Sequence, residues 1–137
     1  MNTIHRIKQI FGRDFGKQID QPGAEYDATT GMPSDWRKFH DDNFEKISKE
    51  KREAAVVYLR DFFNEEPEPR SKQRIKEQAI ADPEWWAGAH FYWGMAIRNK
   101  LRDGGFTDDA MGMNLDDCYV AIVERAVGAC SMEGWPR

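Results

Sequence analysis

The stretch DPEWWAGAHFYWGMAIRNKLRDGG, residues 82–105, decides the fold. Asp82 is a helix-capping residue, Pro83 suits a first helical turn, and Glu84 complements the helix dipole. Gly104 and Gly105 supply a left-handed stop at the other end. On a helical wheel Trp86, His90, Trp93, Gly94, Ile97 and Leu101 share one arc. Phe91, Met95, Arg98 and Arg102 form the arc beside it. A helix that is apolar over so much of its circumference packs on more than one side. Gly94 in mid-helix costs about 1 kcal/mol against alanine, which points to a second helix crossing close by. The spacing therefore predicts a central, tryptophan-rich helix over about 83–102.

The rest of the chain reads outward from it. Residues 115–127 carry Leu115, Tyr119, Ile122 and Ala126 on one face and end at Gly128, which predicts a last helix. Residues 129–137 read as an irregular tail. Ser71 can cap a helix over about 72–81, with Ile75, Ala79 and Ile80 as its inner side. Ser48 caps one over about 49–64, whose apolar arc is Ala55, Val56, Leu59, Phe62 and Phe63; Pro67 and Pro69 end it. Ser34 or Asp35 caps a helix over about 35–47, with Trp36, Phe39 and Phe44 as contacts. Residues 18–34, with Pro22, Gly23, Gly31 and Pro33, read as a loop. Residues 1–17 read as an amphipathic helix of Ile4, Ile7, Ile10, Phe11 and Phe15, with Arg6, Lys8, Arg13 and Lys17 around it. The expectation for that helix is docking on the domain body. No strand pattern or internal repeat competes, so the expected fold is all-α: one domain over 1–137, a compact bundle of about five to six helices.

Composition narrows the function classes. The chain has 137 residues, 40% hydrophobic, 12% aromatic and 32% charged, which is a globular balance. Its formal charge of −4 lacks the basic excess of a sequence-independent nucleic-acid binder, so no nucleic-acid partner is expected. No run approaches the roughly 20 apolar residues a membrane helix needs. The two cysteines, Cys118 and Cys130, make no CxxC, and reduced thiols in the cytoplasm are the simplest reading. The N-terminus has no continuous apolar run, so no signal peptide is expected.

His90 sits inside the apolar stripe, and a buried imidazole needs a hydrogen-bond partner. Arg98, two turns on, needs a carboxylate or carbonyl. The nearest acids past the glycine stop are Asp116 and Asp117. A polar cluster of His90, Arg98, Asn99, Asp116 and Asp117 is therefore expected at the junction of the last two helices. No His/Cys pair has metal-ligand spacing, His40-Asp41-Asp42 reads as a surface triplet, and no phosphate-binding or nucleophile-elbow motif occurs. Neither a metal nor a cofactor is expected.

The run His90-Phe91-x-x-Gly94-Met95-x-Ile97-Arg98-Asn99, followed by Asp116-Asp117, resembles the signature of a family of small bacterial and phage proteins to which no activity is assigned. The likeness covers about residues 85–128. Leu115 and Cys118 flank the acid pair where the family commonly has proline and a small hydroxyl residue. The resemblance implies a helical fold and a phage or mobile-element setting. It further implies a role in inhibiting or redirecting host machinery, CRISPR defence complexes among it.

The leading expectation is a non-enzymatic module that binds another protein. Its contact residues would be Tyr26 and Trp36 in the aromatic-acidic stretch 18–44, with Trp85, Tyr92 and Trp135. The alternative is a small enzyme or anionic-ligand binder, in which His90 acts as acid or base, Arg98 clamps an anion, and Asp116 or Asp117 orients them.

Overall fold

The computed structural model describes residues 35–65, 69–88 and 93–136. The chain is all-α, and the described residues form six α-helices and two 3-10 turns.

Helix α1 spans Trp36–Glu45, and Asp35 caps it by accepting from the Lys38 backbone N–H at 3.0 Å. Trp36, Phe39, His40, Asn43, Phe44 and then Ile47 are buried, a run with helical period. The corner into α2, Lys49–Glu65, is closed by Arg52. Its guanidinium donates to the carbonyls of Glu45 at 2.9 Å and Ile47 at 3.2 Å, groups that the end of a helix leaves without partners. Ser48 accepts weakly from the Lys51 N–H at 3.4 Å. Ala55, Val56, Leu59 and Phe63 form the buried face of α2, while Phe62 is only half-buried.

Helix α3, Pro69–Ala81, begins earlier than its serine suggests, because proline at the first helical position loses no hydrogen bond. Ile75 and Ala79 point inward, but Ile80 does not: it is 56% exposed. The described parts of 83–102 are a 3-10 turn at Trp85–Gly88 and helix α4, Trp93–Asp103. Asp82 starts the turn by accepting from the Glu84 N–H at 2.9 Å. Gly105, at φ +92°, stops α4, and Phe106 N–H returns to the Leu101 carbonyl at 2.9 Å. A four-residue helix α5, Asp108–Met111, follows. Thr107 caps it by accepting from Ala110 N–H at 3.1 Å, and Gly112 ends it at φ +66°. A second 3-10 turn, Leu115–Asp117, leads into α6, Tyr119–Ala126.

Among the described residues the most completely buried element is α6. All eight residues of α6 are buried, and it packs mainly on α1 and α2. The physical reason is its sequence: it is apolar around nearly its whole circumference. Helix α4, by contrast, buries Gly94, Ile97, Arg98 and Leu101 and turns Met95 and Asn99 to solvent. Trp86 nonetheless belongs to the core, within 5.0 Å of Trp36 between ring centroids. No helix among the described residues is long and apolar enough to cross a membrane.

Candidate functional site

Two polar constellations are built into this apolar frame. One lies where α4 meets the start of α6. Arg98 is buried, and its Nε lies 2.9 Å from Asp116 Oδ1. The guanidinium also lies over the Tyr119 ring, 4.8 Å from its centroid. Arg102, one turn on, stands 3.5 Å from Asp108 Oδ1 and 4.0 Å from Asp116 Oδ1. Asp108 Oδ1 in turn accepts from the Leu115 N–H at 3.1 Å, tying α5 to the turn before α6.

The expected cluster is thus present in its Arg98–Asp116 part. Asn99 is exposed and accepts from Arg102, so it stands apart from the buried pair. Asp117 is half-buried beside the pair. Burial, then its neighbours Asp116 and Asp108, pushes its carboxyl up to about 6. Tyr119 and Cys118, both buried, are pushed above their ordinary values, chiefly by desolvation. His90, Tyr92 and Tyr26 lie outside the described residues.

The other constellation runs along the α1–α6 seam. Glu124 is fully buried. Its Oε2 accepts from Arg37 Nε at 3.0 Å and from the Trp85 indole at 3.3 Å, and lies 2.8 Å from Arg37 Nη2. The Trp135 indole faces the same carboxylate, and its ring carries the Arg37 guanidinium 4.0 Å from the centroid. Arg37 also donates to the Ala79 carbonyl at 2.7 Å. Burial raises the Glu124 pKa, and the Arg37 charge and the donated hydrogen bonds act against that rise.

One residue on, Arg125 Nη1 pairs with Asp41 Oδ1 at 3.0 Å in the interior and also holds the Ala121 carbonyl. Its Nε donates to the Met132 carbonyl at 3.0 Å, which anchors a tight turn between Ser131 and Gly134. The tail therefore lies over the seam, and Trp135 is part of it. His40 is fully buried among Trp36, Phe39, Trp86 and Tyr119, with ring centroids 5.5 to 6.1 Å away. The expected surface triplet is thereby corrected. His40 is interior because it occupies the same helical face as Trp36 and Phe39, and Asp41, off that face, is interior through its pair with Arg125. Trp36 is likewise corrected from contact residue to core residue, at 4% exposure.

Of the expected contact aromatics, Trp85 and Trp135 converge on Glu124 and are both half-buried. Sequence reasoning passed over the seam, although a signal existed. Glu124-Arg125 interrupts an otherwise apolar run, and charges inside a wholly buried helix must be paired. Among the described residues no three His, Cys, Asp or Glu side chains converge into a metal-holding group. Comparison of the chain with protein-family models, with curated proteins and with solved structures gives no match, so its function rests on this geometry.

Proposed function

We propose that the chain binds another protein, and that the patch around Trp85, Arg37 and Trp135 carries the contact. The supporting observation is the convergence of two half-buried tryptophans and an arginine on one buried carboxylate. Tryptophan and arginine are the residues most enriched among those that dominate binding energy, and they do so best when held rigid. Glu124 holds Arg37 and Trp85, and the Arg37 guanidinium lies over the Trp135 ring. Ile80, next along α3 from the Ala79 carbonyl that Arg37 holds, is an exposed apolar side chain and the nearest of them in sequence to that contact.

The role as an inhibitor or modulator of host machinery, such as a CRISPR defence complex, in a phage or mobile-element setting belongs to the same proposal. It rests on the resemblance of residues 85–128. The test is affinity capture from lysate of the bacterial host with the wild-type chain and with Ile80→Glu, which changes only an exposed side chain. The expected result is a partner held by wild type and lost by Ile80→Glu, while an exposed control on a different helix, Asn99→Ala, keeps it. Equal capture by all three chains would place the contact elsewhere.

A further inference from the structure

Helix α2 turns a stripe to solvent that combines acids with apolar side chains. Glu50, Glu53 and Asp61 share it with Ala54 and Val57, the latter 41% exposed. Lys49 and Arg60 flank it. A shallow depression runs along the same stripe to the half-buried Tyr58. None of the three acids forms an ion pair with a cation among the described residues. Glu50 and Glu53 stand one turn apart and repel each other. The stripe is the complement of a basic amphipathic helix.

The N-terminal sequence carries the pattern of one. Residues 4–15 place Ile4, Ile7, Ile10, Phe11 and Phe15 at helical spacing, and Arg6, Arg13 and Lys17 fall together along one border of that apolar face. We infer that this N-terminal segment docks as a helix on the exposed stripe of α2, its isoleucines on Ala54 and Val57 and its border cations toward Glu50, Glu53 and Asp61. The connection allows it. Residues 18–34 span up to about 60 Å when extended, against a length of about 25 Å for α2. A segment tethered so closely works at an effective concentration on the order of millimolar, which favours it over a second copy or a free partner. This inference stands whether or not the patch at Trp85 and Trp135 binds a partner.

Hydrogen–deuterium exchange on the full chain tests it. An isolated helix this short is marginal in water, so protection of residues 4–15 reports docking. The wild-type chain should show exchange there roughly tenfold slower than a free peptide of the same sequence. The triple charge reversal Glu50→Lys, Glu53→Lys, Asp61→Lys should abolish that protection, and so should the reversal Arg6→Glu, Arg13→Glu, Lys17→Glu. A chain carrying both sets should regain it. Protection of α6 reports in each case that the body of the fold is intact. Absent protection in wild type, protection that survives the α2 reversal, or protection that grows with chain concentration would each overturn the inference; the last would assign the stripe to a second copy.

Discussion

The ring of Tyr58 occupies the space a side chain at Gly104 would need. A Cβ there would sit 2.7 and 2.8 Å from Tyr58 Cε2 and Cε1. The ring is held in place by its hydroxyl, which donates to the Lys100 carbonyl at 3.2 Å, and by Phe106, 5.4 Å away between centroids. Gly104→Ala should therefore cost about 1–3 kcal/mol by overpacking. In a Tyr58→Ala background the same change should cost much less, because the space has been opened. Urea denaturation of the four chains measures the coupling. Additive losses would show that the two residues do not share that space.

The Glu124 carboxylate separates pairing from desolvation. Its pKa is raised although Arg37 and two indoles face it, so burial outweighs the attraction they supply. Glu124→Ala should cost about 3–5 kcal/mol, since it leaves the Arg37 guanidinium, mostly out of solvent, without its partner. Glu124→Gln keeps an oxygen acceptor of the same shape and should cost less than half as much. Denaturation midpoints report both. A glutamine variant as unstable as the alanine variant would show that the charge itself holds the seam.

Much of this was legible in the sequence, and the failures share one cause. Asp35, Ser48 and the Gly104-Gly105 stop mark helix ends through local chemistry, and the structure uses each of them. The Arg98–Asp116 pair was legible because a border arginine needs an acid and few are near. Burial of His40 and Asn43 was not. An apolar pattern scores only apolar residues, and what permits these two to be buried comes from far along the chain. Asn43, for example, donates to the Asp117 carbonyl at 3.1 Å. The full burial of α6 was not legible, because spacing marks only Leu115, Tyr119, Ile122 and Ala126 as one face, whereas all eight of its residues are buried. Ile80 was assigned inward by spacing alone, and tertiary packing turns it out.

The thiols should be inert in the folded chain. Burial pushes Cys130 up to about 12, with the Arg125 charge acting against the rise, and drives the fully buried Cys118 up as well. The thiolate is the reactive form, so at about pH 8 only on the order of one Cys130 in ten thousand is poised to react. A disulfide-exchange reagent should label neither cysteine at an appreciable rate until urea unfolds the chain, when both react. Rapid labelling of Cys130 in the native chain would show that the tail lifts from the seam.

Asp117 makes stability depend on pH in a direction that can be worked out. Burial, with Asp116 and Asp108 beside it, raises its carboxyl from 3.8 to about 6. Between those values the folded chain holds a proton that the unfolded chain has released, so this residue's contribution falls as pH rises through the window and stays low above it. A difference of two units corresponds to about 3 kcal/mol, and solvent screening of the partly exposed carboxyl reduces it to roughly 1–2 kcal/mol. Asp117→Asn cannot ionise and leaves the backbone carbonyl that Asn43 holds in place. The variant should be more stable than wild type by roughly 1–2 kcal/mol near pH 7.5, and the advantage should vanish toward pH 4. Urea denaturation across that range measures the difference directly. An advantage that stays constant with pH, or an asparagine variant that is the weaker at neutral pH, would mean that the carboxylate is stabilised where it stands and that its acidic neighbours do not govern it.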